Sequence, residues 1–160
     1  MTDPASLPYR PCAGVMLLNR DGRVFVGQRL DSTLEAWQMP QGGIDPGEDA
    51  LDAATRELRE ETGITADKVR LIAQAPEELF YDLPEDMVGR IWRGRWRGQR
   101  QRWFLFAFDG EDHDVDIRTP EPEFRSWRWA EPDELPAMIV PFKKKLYEAV
   151  LDAFAGHLRR

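Results

Sequence analysis

The chain has 160 residues, 42% hydrophobic and 32% charged, with 22 Lys and Arg against 29 Asp and Glu for a net charge of −7. That length supplies one ordinary domain with a core and is short for two, and the acidic balance argues against broad adhesion to polyanions such as duplex DNA. A lone Cys12 excludes an internal disulfide and suits a reducing compartment. The opening MTDPASLPYRP carries no apolar h-region, and the longest strongly apolar run later on, WFLFAF, is far below membrane-spanning length. A soluble, cytoplasmic protein with no membrane partner is expected.

CAGVMLL and RVFVGQR are apolar runs separated by NRDG, whose Asp-Gly pair predicts a hairpin-like turn between two strands. Beyond Trp37, PQGGIDPGED is rich in Gly and Pro and reads as a loop. It feeds ALDAATRELREETG, a helix of about fourteen residues. Glu48 and Asp49 suit the positive end of its dipole, and Gly63 suits a left-handed cap past its last turn. VRLIAQA, ELFYDL, RWFLFAF and FRSWRWA read as further strands, and EPEF and EPDELP as short turns. IVPFKKKLYEAVLDAFAGHL reads as a C-terminal amphipathic helix with Leu146, Val150 and Phe154 on its core face. No repeat or linker divides the chain, so a single domain over 1–160, with its core in 9–154, is expected.

At about 100° per residue, Leu51, Ala54 and Leu58 of the first helix form one stripe and Glu57, Glu60 and Glu61 the adjoining one. Ala50 and Ala53 leave room beside it, while Asp52, Arg56 and Arg59 fall away from both. Like charges at i, i+3 and i+4 cost an isolated helix roughly 0.2–0.5 kcal/mol per pair, so something must offset the crowding. The chain has no Walker loop, GxSxG or paired-cysteine motif, and His113 and His157 are isolated. Nucleophilic triads and zinc sites therefore lack their residues. An oxygen-only cluster suits hard cations such as Mg²⁺ or Mn²⁺ instead. The preceding GGIDPG permits close backbone approach, so that a carbonyl near Gly42 joins the coordination and helix-end amides face a phosphate. The predicted reaction is hydrolysis of a phosphoanhydride.

Gly42, five residues, Glu48, seven residues, then Arg56-Glu57-Leu58-x-Glu60-Glu61-x-Gly63-Ile64 fills every fixed position of the Nudix box over 42–64. On that ground the chain resembles the Nudix hydrolases. The resemblance implies an α/β fold, an α/β/α sandwich with a mixed β-sheet, in which the box is loop, helix and loop. It also implies Glu57, Glu60 and Glu61 as ligands of more than one Mg²⁺ or Mn²⁺, joined by the Gly42 carbonyl. Arg56 would orient Glu60, and Glu48 would either support the site or simply face the helix dipole. Glu123, in PEF, is similar to the family glutamate that reaches the metals from another loop, and either it or Glu57 is the general base.

Over about 9–154, the motifs YRP, WQMPQGGIDPGE, FYDLP, GQRQRWFLFAF, PEF, WRW and FKKKLY resemble the bacterial RNA pyrophosphohydrolases. They also resemble the related asymmetrical diadenosine tetraphosphate hydrolases of plants and bacteria. That likeness implies Arg10 and Arg29 near phosphates, Tyr81 and Phe142 near a base and Lys143 near the phosphate chain, sensible partners for anions and stacking. Phe142 as a core anchor and Arg29 as a solvated strand end are the competing readings.

GRIWRGRWRGQRQRW sets Arg90, Arg93, Arg95, Arg97, Arg100 and Arg102 among Trp92, Trp96 and Trp103, and here the chain departs from the RNA enzymes. The island reads either as a guide for a nucleic-acid 5′ end or as a charged loop leading into a strand. The expected activity is metal-dependent removal of pyrophosphate from 5′-triphosphorylated RNA, promoting its decay. Cleavage of diadenosine tetraphosphate to ATP and AMP is the alternative, and a non-hydrolysing nucleotide sensor a third reading. Partners are then RNA 5′ ends or dinucleoside polyphosphates, with the oligomeric state open.

Overall fold

In the computed structural model, which describes residues 6–31 and 35–158, the apolar runs become strands of one mixed sheet. Strand β1 (Tyr9–Leu18) is flanked in sequence by β2 (Val24–Arg29), β3 (Trp37–Gln38) and β4 (Gln41–Gly43). Helix α1 (Ala50–Thr62) follows, then β5 (Val69–Gln74), β6 (Leu79–Asp82), β7 (Gly98–Phe108) and β8 (Phe124–Ala130). The single turn α2 (Leu135–Met138) and helix α3 (Lys144–Leu158) complete the order.

β1 runs parallel to β7 from Tyr9↔Gly98 to Leu18↔Ala107. The remaining pairs are antiparallel: β7 with β5 and β6, β1 with β2 and β4, and β2 with β3 and β8. A parallel pair needs cover on both faces, and residues 12–18 are buried without a break. Alternation sorts their side chains. Ala13, Val15 and Leu17 meet Ala53, Ala54 and Leu58 of α1, whereas Met16 and Leu18 share the opposite cluster with Leu146, Val150 and Phe154 of α3. The result is the α/β/α sandwich. β1 and β7 approach closely, for a Cβ on Gly14 would stand 2.5 Å from the Trp103 ring.

Several boundaries differ from the sequence reading. The turn at NRDG closes, with the Asn19 amide donating to Arg23 O at 2.9 Å, yet β1 and β2 pair only at Leu18↔Val24 before turning to other partners. The glycine-rich loop contains β4, because Gln41–Gly43 is held by backbone pairing to residues 12–14 and not by apolar side chains. β1 and β7 begin ahead of their apolar runs for the same reason. The last helix starts at Lys144, after Pro141 has set a 3-10 turn, and EPDELP forms a second 3-10 turn leading into α2. Leu51 is only half-buried, so Ala53 joins Ala54 and Leu58 as the core face of α1. Among the described residues no helix is long and apolar enough to cross a membrane.

Candidate active site

Both ends of α1 are fixed, and with them the carboxylates it carries. Asp49 is its N-cap, accepting from the Leu51 and Asp52 amides at 3.1 and 3.4 Å, and Gly63 closes it at φ 73°, its amide donating to Arg59 O at 2.9 Å. Glu61 consequently points inward and is 2% exposed. Its Oε2 has no hydrogen-bond partner among the described residues. Burial first, then Glu57 and Glu123, push the Glu61 carboxyl well above the usual glutamate range, against the Gln41 amide and Arg29. Glu57 is raised too, chiefly by burial and against Arg56. Gly42 lies against this pair, and a Cβ there would land inside the Glu57 carboxylate.

Arg56 organises the outer rim. It stands one turn before Glu60 on the helix, and its side chain also curls over the loop. Nε donates to Glu48 Oε2 and Nη2 to Glu48 Oε1, both at 2.9 Å, Nη2 also to Gly43 O at 2.9 Å, and Nη1 to Glu57 Oε1 at 2.8 Å and Glu60 Oε2 at 3.2 Å. Glu48 accepts in addition from the Asp45 amide at 3.0 Å. Arg56 and that amide hold the Glu48 carboxyl down at about 2, so Glu48 fastens Arg56 and is more than a dipole residue. Among the described residues, no three His, Cys, Asp or Glu side chains already converge as a metal cage. The geometry gives a reason: Arg56 draws Glu57 and Glu60 towards itself, leaving Glu61 orphaned. Oxygen donors, one of them unpartnered, suit a hard divalent cation.

The structure brings Glu123 to the same place from the turn before β8. Its carbonyl accepts from the Leu30 amide at 2.8 Å, and its carboxylate is near enough to raise the proton affinity of Glu57 and Glu61. Glu123 is itself raised, by burial and against Arg29. Arg29 forms a two-pronged pair with Asp31, at 2.8 Å through Nε and 2.6 Å through Nη2. It is also one wall of a cavity of about 700 Å³ lined by Gln38, Tyr81, Trp92, Phe142 and Lys143. Tyr81 and Phe142 meet with centroids 5.8 Å apart, and Lys143 Nζ lies 5.0 Å from the Tyr81 ring and 5.9 Å from that of Phe142. Lys143 is 9% exposed, makes no ion pair among the described residues, and burial lowers it to about 8. Arg10 lies between loop and cavity: a Cβ on Gly43 would stand 2.7 Å from its guanidinium, which is 5.8 Å from the Trp92 ring centroid.

The NUDIX domain profile matches residues 8–150. The chain belongs to the Nudix family. It is 62% identical over 154 residues to the RNA pyrophosphohydrolase of Sphingopyxis alaskensis, spanning 96% of this chain and 98% of that one. It is 54% identical over 156 residues to the RNA pyrophosphohydrolase of Cereibacter sphaeroides, spanning 98% and 96%. Among solved structures it is similar to a C. elegans Ap4A hydrolase in a binary complex, at TM-score 0.67 and 24% identity over 92% of this chain and 98% of that one. It is also similar to the E. coli dihydroneopterin triphosphate pyrophosphohydrolase, at TM-score 0.69 and 23% identity over 89% and 96%. Both structural likenesses are likenesses of fold.

In this Nudix hydrolase the residues singled out in the sequence fall into two adjoining groups. Gly42, Glu48, Arg56, Glu57, Glu60, Glu61 and Glu123 gather at α1, and Arg29, Tyr81, Phe142 and Lys143 at the cavity, with Arg10 between. Phe142 is half-buried in the cavity wall and packs against the core as well. Asp31 and Gln38 were not foreseen. The first carries no signal beyond standing two residues after Arg29, and the second points into the cavity only because Trp37–Gln38 pairs with β2.

Proposed function

We propose that this hydrolase removes pyrophosphate from the 5′ end of triphosphorylated RNA in the cytoplasm, leaving a monophosphate end open to decay. The observation that carries the reading is the continuity of carboxylate face and cavity. Arg29 lines the cavity and feels the charges of Glu61 and Glu123, so a polyphosphate seated at the glutamates directs its nucleoside end towards Tyr81, Phe142 and Lys143. Near-full-length likeness to proteins named RNA pyrophosphohydrolase supports the same substrate.

Glu57, Glu60, Glu61 and Glu123, with the Gly42 carbonyl, would hold Mg²⁺ or Mn²⁺, which supplies water activation and neutralises charge on the leaving phosphate. Glu57 or Glu123, both raised above the usual glutamate range by burial, takes the proton of the attacking water. Arg56 holds Glu57 and Glu60 in register, and Glu48 holds Arg56. Arg10, Arg29 and Lys143 meet phosphate oxygens, and Tyr81 and Phe142 flank a base.

The third aromatic wall, Trp92, gives the cavity room for another nucleoside, and this favours asymmetrical cleavage of diadenosine tetraphosphate to ATP and AMP as a second activity. The test is kcat/KM on triphosphorylated RNA against the dinucleotide in Mg²⁺. RNA is expected to lead. A preference for the dinucleotide beyond about tenfold, roughly 1.4 kcal/mol in the transition state, reverses the order.

A further inference from the structure

Three arginines between β6 and β7 have no carboxylate to answer them. The stem of this segment is zipped, with the Leu83 amide donating to Arg97 O at 2.8 Å and the Arg97 amide to Pro8 O at 3.0 Å. The Arg97 side chain is paired, its Nε donating to Asp82 Oδ1 at 2.9 Å. Arg90, Arg93 and Arg95, inside the segment, are exposed and form no ion pair among the described residues. Glu85 and Asp86 stand exposed in the same segment, yet neither pairs with them. Exposed arginines elsewhere do find partners, as Arg20 with Glu111 at 3.1 Å, Arg23 with Glu131 at 3.0 Å and Arg70 with Asp109 at 3.3 Å. Within the arginine run, Trp92 and Arg93 have φ of 51° and 58°, followed by Gly94 at 68°. Side-chain-bearing residues rarely occupy that left-handed region, and strain of this kind gathers at functional sites. The turn sends neighbouring side chains different ways: Trp92 is half-buried in the cavity wall, with the Arg10 guanidinium 5.8 Å from its ring centroid, while Arg93 is exposed.

We propose that Arg90, Arg93 and Arg95 form a binding surface for the phosphate backbone of the RNA strand beyond the nucleotides held in the cavity. The inference rests on the RNA reading above and deepens it. A chain of net charge −7 repels a polyanion at a distance, so a long strand needs a local patch of the opposite sign to offset that repulsion. Three arginines unpaired with any carboxylate supply it, and guanidinium groups suit phosphate oxygens. Their placement agrees with the charge. The turn that carries them is also a wall of the cavity through Trp92, and Arg10 links that wall to the glutamate end, because its guanidinium reaches both the indole and the Gly43 backbone. A strand whose 5′ phosphates lie at the glutamates therefore leaves the cavity beside the arginines. Contacts of this kind read no base; they add affinity for longer strands and make it salt-dependent.

The test measures kcat/KM across a salt series for wild type, for the triple variant Arg90→Gln, Arg93→Gln, Arg95→Gln and for the triple variant Arg90→Lys, Arg93→Lys, Arg95→Lys. Two triphosphorylated single-stranded RNAs serve as substrates, one of about three nucleotides and one of about twelve. Each phosphate contact on a single strand contributes about 0.7 to the slope of log affinity against log salt. Loss of three contacts should flatten the slope on the longer RNA by about 2, so that between about 50 and 200 mM salt wild type loses roughly 20-fold more than the glutamine variant. At low salt the glutamine variant should be about tenfold or more slower on the longer RNA, mainly through KM, and within about twofold of wild type on the shorter. The lysine variant keeps the charges and should keep the slope. An unchanged slope in the glutamine variant overturns the inference, as do equal losses on both RNAs or a lysine variant that matches the glutamine one, which a merely structural turn would give. Wild type inactive on both RNAs would sink the RNA reading and this inference with it.

Discussion

Glu61→Gln tests the site through stability. In the folded protein the Glu61 Oε2 finds no donor among the described residues, and Glu57 and Glu123 stand near it. A buried polar group left unpaired costs about 1–3 kcal/mol, more when it is charged. Burial raises its folded pKa above the unfolded value, so the folded state holds the proton more tightly. In metal-free buffer this group's contribution to stability therefore falls as pH rises from about 4.5 towards the raised pKa. Glutamine removes the charge, keeps the shape and still accepts from the Gln41 amide. In EDTA at pH 7.5 the variant should be more stable by about 1–3 kcal/mol, which raises Tm by roughly 2–10 °C for a domain of this size. Mg²⁺ should reverse the order, because saturation at 100-fold over Kd adds about 2.7 kcal/mol to a protein that binds it, and the variant lacks a ligand. Melting curves in EDTA and in Mg²⁺ read both effects. A variant that melts below wild type in EDTA, or an equal Mg²⁺ shift in the two proteins, refutes the reasoning.

Gly42→Ala should leave Tm within a few degrees, since the added methyl meets the movable end of Glu57, while kcat falls about hundredfold from misplacement of that carboxylate by an ångström or so; steady-state kinetics with a melt checks both. Arg56→Lys keeps a charge but loses the fork that spans Glu48, Glu57, Glu60 and Gly43 O, so kcat/KM should drop about 10–100-fold. The Glu48 carboxyl, held at about 2, contributes stability that is present above its ordinary pKa and lost as pH falls towards 2, so acid titration of the same variant should lose native signal at higher pH than wild type. Lys143, lowered to about 8, is charged below that pH and neutral above it. Free-enzyme kcat/KM should therefore decline as pH rises through 8, and Lys143→Arg should remove the decline, which a pH–rate profile reads.

The sequence made the candidate carboxylate site legible because helical spacing alone puts Glu57, Glu60 and Glu61 on one face, and α1 begins and stops where Asp49 and Gly63 dictate. What spacing could not reveal is how a long side chain bends. Arg56 neighbours Glu60 at i, i+4, as spacing predicts, but its further hydrogen bonds to Glu48, Glu57 and the Gly43 carbonyl depend on the bend of the side chain. Strand β4 was hidden because Gln41–Gly43 has no apolar pattern and exists through pairing with β1. The parallel pairing of β1 with β7 joins segments about ninety residues apart, from Tyr9↔Gly98 onward, and local periodicity carries no information on it. Trp92 belonged in the sequence to a charged island, and only the left-handed turn at Trp92 and Arg93 decides that the indole faces the cavity.

The central claim is that the carboxylate face of α1 cleaves the 5′ pyrophosphate of RNA. The direct measurement follows the products formed from 5′-triphosphorylated RNA in Mg²⁺ by wild type and by Glu57→Gln. Wild type should yield pyrophosphate and RNA with a 5′-monophosphate, and the variant should be slower by about hundredfold or more. Equal rates in the two proteins, or no turnover by wild type, would contradict the account.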